Sequence, residues 1–115
     1  MKIIIAGSRD FVDYDILHKF CKEVIEGLHA VEIVSGGAKG ADCLGERYAN
    51  EKDIRIKLFK ADWQKFGKAA GVIRNKEMAD YSDRLIVFWD GNSRGTANII
   101  KECQKRKMPT HIFYY

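Results

Sequence analysis

Three short stretches of this chain carry residue types that hold anions. They are Gly7-Ser8-Arg9-Asp10-Phe11, Ser35-Gly36-Gly37-Ala38-Lys39-Gly40-Ala41-Asp42 and Asp90-Gly91-Asn92-Ser93-Arg94-Gly95-Thr96. Each combines glycine with a small hydroxyl side chain and a cation. Glycine lets the backbone come close to a ligand and take up positive φ. Arg9 and Arg94 add planar guanidinium forks suited to phosphate or carboxylate. The second stretch is the strongest, because a glycine-rich turn entering a helix exposes free N–H groups at the positive end of the helix dipole. Its spacings match neither a Walker A loop nor a G-x-G-x-x-G fingerprint. Within it, Lys39 either reaches a phosphate or is solvated, and Asp42 either caps the helix or accepts from a ribose hydroxyl. In the third stretch, Asp90 and Gly91 open the turn, while Gly95 and Thr96 offer two backbone donors and a hydroxyl. Taken singly, each loop also reads as a structural turn.

Further candidates lie between these loops. Arg74, Met78 and Tyr81 share a helix face at i, i+4 and i+7, with Asn75 alongside. Arg74 and Asn75 are expected in the first turn of their helix, facing the same site. Trp63 and Phe11 are aromatic residues in predicted loops, and each either stacks on a base or packs inward, Trp63 as a core plug and Phe11 as a staple on the first helix. Asp62, beside Trp63, is a second carboxylate able to meet a sugar.

The elements that position these residues follow from apolar patterning. Strands are predicted at 2–6, 31–34, 54–59, 85–89 and 110–114, and helices from Asp13 or Asp15 to about Leu28, from 42 to about Asn50, from Gly71 to Ser82, and from about 96 to Lys107. Residues 60–70 are expected as a loop. Strand and helix alternate through short connections, which specifies an α/β fold: one Rossmann-like, three-layer α/β/α domain on a five-stranded parallel sheet. Right-handed crossovers then bring all the βα loops, and with them the three glycine clusters, to the C-terminal edge of the sheet. Backbone amides of 7–9, 36–40 and 94–96 are the expected phosphate donors, with Arg9, Lys39, Arg74 and Arg94 balancing charge.

Composition narrows the classes. The 115 residues fit one domain, 46% hydrophobic and 31% charged. No stretch approaches a membrane span, and the apolar start is too short for a signal peptide, so no membrane partner and a cytoplasmic setting are expected. Cys21, Cys43 and Cys103 are far apart and read as reduced, mostly buried thiols. His18, His29 and His111 lack metal-ligand spacing, and no metal or cofactor is expected. Net charge is +4 and uneven: residues 1–57 hold 9 Lys/Arg against 10 Asp/Glu, and residues 58–115 hold 11 against 6. The basic end of the last helix suits its dipole, or else a nucleic-acid surface.

The three glycine loops in this order, with the Arg74-Asn75 helix, resemble the YspA-like (cpYpsA-related) branch of the SLOG superfamily over nearly the whole chain. The resemblance implies a Rossmann-like fold, a nucleotide or nucleotide-derived ligand such as an ADP-ribose-like molecule, and dimers or higher assemblies. Relatives include LOG phosphoribohydrolases, which suggests N-glycosidic hydrolysis, and the DNA-processing DprA proteins, which suggest single-stranded nucleic acid as a partner. The LOG enzymes carry P-G-G-x-G-T-x-x-E with an upstream arginine. Here Gly95-Thr96 fits the G-T and Arg74 the arginine, but Ile99 stands at the glutamate. The ligand-holding half of that motif is present; whether a reaction is catalysed is left open.

Overall fold

Ile3, Ile5, Ile33, Ile86 and Phe88 face one side of the sheet, and Ile4, Ala6, Val34, Leu85 and Val87 the other. Both faces are covered, which is why these strands read as continuous apolar runs rather than alternating ones. A computed structural model describes residues 1–115. In chain order the elements are β1 (Lys2–Gly7), α1 (Tyr14–Ile25), β2 (Glu32–Ser35), α2 (Ala41–Glu51), β3 (Arg55–Leu58), α3 (Trp63–Phe66), a 3-10 turn (Gly67–Ala69), α4 (Ala70–Tyr81), β4 (Arg84–Trp89), α5 (Arg94–Lys105) and β5 (Thr110–Tyr114). The five strands are all parallel, in the order β3-β2-β1-β4-β5. The α/β fold expected from the alternation is therefore the fold observed.

The two helical layers bury different sets of side chains. Leu17, Cys21 and Ile25 of α1 and Tyr48 and Ala49 of α2 pack on the first face. Met78 and Ala79 of α4 and Ile99, Ile100 and Cys103 of α5 pack on the second. Phe88 anchors the first layer, with the rings of Phe11, Phe20 and Phe113 around it at 4.8, 5.5 and 5.8 Å between centroids. Emptying such a position costs about 3–5 kcal/mol. The strand order reverses between β1 and β4, which opens a crevice outside their C-terminal ends. No helix is long and apolar enough to cross a membrane.

Several local expectations are corrected. Residues 63–69 are helical rather than loop, because the Asp62 carboxylate accepts from the Lys65 amide at 3.0 Å and caps α3. The chain turns at Glu26 and Gly27, so α1 ends at Ile25, short of Leu28. Since α4 starts at Ala70, Arg74 and Asn75 lie in its second turn. Phe11 is 3% exposed and stacked on Phe88, so its ring has no face free for a base. Cys21 and Cys103 are buried, and Cys43 is exposed.

Candidate functional site

The crevice at the strand reversal is a cleft of about 280 Å³. Its floor is Ala6 and Gly7 at the end of β1. One wall is Ala38 and Asp42 at the start of α2, and another is Ser93 to Thr96 with Asn98 and Ile99 on α5. Trp63, Lys68, Gly71, Val72, Arg74, Asn75 and Met78 close the third side, and Arg9 stands at the mouth. Arg9, Asp42, Trp63, Arg74, Asn75, Arg94, Gly95 and Thr96 thus converge as the sequence predicts. Gly36, Gly37, Gly40, Lys39, Ser8, Ser35, Asp90, Gly91, Asp62 and Phe11 do not line it.

Most of those absent residues hold the walls in place. Gly40 has φ +79, and a Cβ there would collide with the Ser8 and Arg9 backbone; only glycine lets the loop after β2 lie against the loop after β1. Ser8 Oγ accepts from the Asp90 amide at 3.3 Å, joining the loops after β1 and β4. Asp90 Oδ1 accepts from the Asn92 and Ser93 amides, each at 2.8 Å, and these bonds hold its carboxyl below the usual range. Asp90 therefore shapes its own turn, and the exposed Gly91 continues it. In the second loop two amides expected to meet phosphate are used internally: Gly37 N–H donates to Ser35 Oγ at 3.1 Å and Ala38 N–H to Asp42 Oδ2 at 3.3 Å. Lys39 points into solvent. Asp62 is exposed and spent as the α3 cap.

Arg74 and Asn75 link the loops after β2 and β4. Arg74 Nη1 donates to the Gly36 carbonyl at 2.7 Å, and its Nε to Asn75 Oδ1 at 3.1 Å. Asn75 Nδ2 donates to the Gly95 carbonyl at 3.3 Å and to Asn98 Oδ1 at 2.9 Å. A Cβ on Gly36 would sit 2.8 Å from the Arg74 guanidinium and 2.9 Å from the Asp42 carboxylate, so the bare backbone at 36 leaves these groups their positions. Ser93 caps α5: its Oγ lies 3.4 Å from the Thr96 amide and 3.0 Å from Thr96 Oγ1. The Arg94 and Gly95 amides, next in that first turn, have no partner within the chain and remain available.

The electrostatics favour an anion. Four cations line the cleft (Arg9, Lys68, Arg74 and Arg94) against one carboxylate, Asp42. The ion pairs of the molecule, Arg47–Glu51, Arg106–Asp80 and Arg106–Glu102, lie elsewhere, so these cations have no ion-pair partner. Burial holds Arg74 below the usual arginine range, with the Asp42 charge opposing that shift. Asp42 is 5% exposed, and burial raises its carboxyl to about 6. Ser93, Lys68 and Asn98 join the site without having been predicted. A serine before a helix start is an N-cap signal that points to Ser93; no sequence signal marks the other two.

The model of the YspA, cpYpsA-related SLOG family matches residues 1–66, more than half of the chain. This chain belongs to the YspA, cpYpsA-related SLOG family. The Gene 61 protein of Mycobacterium phage D29 is 33% identical to this SLOG chain over 119 residues, covering 97% of it and 95% of the phage protein. Among solved structures, DNA processing protein A (DprA) from Streptococcus pneumoniae shares the fold with TM-score 0.76 at 19% identity. The match covers 96% of this chain and 49% of that one, so the SLOG chain spans about half of that structure.

Proposed function

We propose that the cleft binds a nucleotide or nucleotide-derived ligand. The observation that carries this reading is the convergence of four cations without ion-pair partners and the free first-turn amides of α5 around one small cavity. Phosphate oxygens accept from the Arg94 and Gly95 amides and from the guanidinium groups of Arg9 and Arg94. Asp42 takes the sugar, and the half-exposed indole of Trp63 lies against the base. Membership of the SLOG family supports a nucleotide-related role. Ile99 is 2% exposed and apolar where LOG-type enzymes carry a carboxylate, so the reading is one of binding: sensing or sequestering a ligand.

Calorimetric titration with nucleoside monophosphates, ADP-ribose and cyclic nucleotides tests it. At least one binds, and Arg9→Ala or Arg94→Ala each weakens it roughly 10-fold or more. Silence across the set, or affinity untouched by both variants, refutes the reading.

A second reading has its own observation. Trp63 and Phe66 are exposed beside Lys65 and Lys68, with Lys65 Nζ 5.1 Å from the Phe66 ring centroid. Aromatic faces set among lysines suit single-stranded nucleic acid, and the structural neighbour DprA is a DNA-processing protein. Affinity for a labelled oligonucleotide that falls steeply with salt supports this reading; the lack of any low-salt complex removes it.

A further inference from the structure

We infer that Asp42 makes the cleft selective for a ribonucleotide over its deoxy counterparts. The inference rests on the nucleotide reading above and deepens it. Asp42 is the single carboxylate among the lining residues, and it is 5% exposed. An ionised carboxylate has about four acceptor positions. The chain fills few of them: the Ala38 amide donates at 3.3 Å, and the Gly7 amide lies nearby. Arg74, a neighbouring cation, is turned away to the Gly36 carbonyl and the Asn75 amide oxygen, and no cation comes within ion-pair distance of Asp42. The remaining acceptor capacity faces the cavity and calls for a donor from the ligand.

That donor is neutral. A phosphate has lone pairs and negative charge to present, both of which Asp42 repels. A sugar hydroxyl donates a proton without adding charge. The cleft therefore offers Arg94 and two free amides at the start of α5 for the phosphate, and a buried carboxylate on α2 for a hydroxyl. A site built to hold a hydroxyl rejects the analogue lacking it, because its buried polar group is then left without a partner.

The test is calorimetric titration of the full chain with the four ribonucleoside 5′-monophosphates and their 2′-deoxy and 3′-deoxy counterparts. For the tightest ribonucleotide, removing one of the two hydroxyls weakens binding about 10- to 100-fold. Asp42→Ala brings the ribo and deoxy affinities together. Asp42→Asn, which keeps the shape and an acceptor for the Ala38 amide, cuts the ratio by about threefold or more. Equal binding of all three sugar forms by the unaltered protein overturns the inference while leaving the phosphate reading intact. A ribo preference that survives in Asp42→Asn and Asp42→Ala also overturns it. If none of these monophosphates binds, the inference falls, and the phosphate reading then rests on the titrations with ADP-ribose and cyclic nucleotides.

Discussion

Asp42 shows how a residue type acquires a role from its surroundings. An aspartate at the start of a helix is ordinarily a cap, with its carboxylate in water. Here the N-cap position is Gly40, and the Asp42 side chain turns back into the cleft, where burial raises its carboxyl to about 6. The folded protein therefore holds the proton more tightly than the unfolded chain, whose value is near 3.8. The sign follows: this contribution favours the fold below the unfolded value and is lost as pH rises through about 6, a linked cost on the order of 3 kcal/mol at neutrality. Asp42→Asn removes the charge and keeps the shape. The difference in melting temperature between Asp42→Asn and the unaltered protein should shift in favour of the variant between pH 4 and pH 8. A constant difference across that range would show that Asp42 titrates normally.

At the scale of elements, α4 acts as a clasp on the two glycine loops. Asn75 is 6% exposed and bonds both α5 and Arg74, while Arg74 reaches the loop after β2. Asn75→Ala removes the donor to the Gly95 carbonyl and to Asn98 Oδ1 together with the acceptor for Arg74 Nε, and should cost about 2 kcal/mol in urea unfolding; a change below about 0.5 kcal/mol would show that the bridge carries no stability. Gly40→Ala should cost at least about 2 kcal/mol, since the new Cβ meets backbone and φ is +79. Unchanged stability there would contradict the close packing of the first two loops. The strands and their shared edge were legible because both sheet faces are covered, which leaves unbroken apolar runs such as Ile3-Ile4-Ile5 and Leu85-Ile86-Val87-Phe88. Arg9, Arg94, Gly95 and Thr96 were legible because they follow those runs directly. Less was legible where tertiary contact decides. Phe11 reads equally as a loop aromatic or a core ring until Phe88 is placed against it. Lys68 lines the cleft only because Asp62 caps a helical turn ahead of it. The inward use of the Gly37 and Ala38 amides depends on Ser35 and Asp42 folding back, which spacing does not encode.

For the whole molecule, the net charge of +4 is small, and what matters is where it falls. Four of the cations meet at the strand reversal, while the ion pairs lie on helix surfaces away from it. The opposite edge of the sheet has a wider groove, but there Lys2 and Arg55 are balanced by Glu32 and Asp53, the Tyr81 hydroxyl is bonded to Glu32, and Lys2 lies over the Tyr81 ring at 4.0 Å. Binding should therefore be confined to one end of the sheet. Amide chemical shifts of the isotope-labelled full chain, followed during titration with nucleoside monophosphates and ADP-ribose, read this out directly. The largest changes should fall on Arg9, Ala38, Asp42, Arg94, Gly95 and Thr96, with Lys2, Glu32 and Tyr81 silent. Changes centred on those last three, or none with any of these ligands, would contradict a nucleotide site at the C-terminal edge.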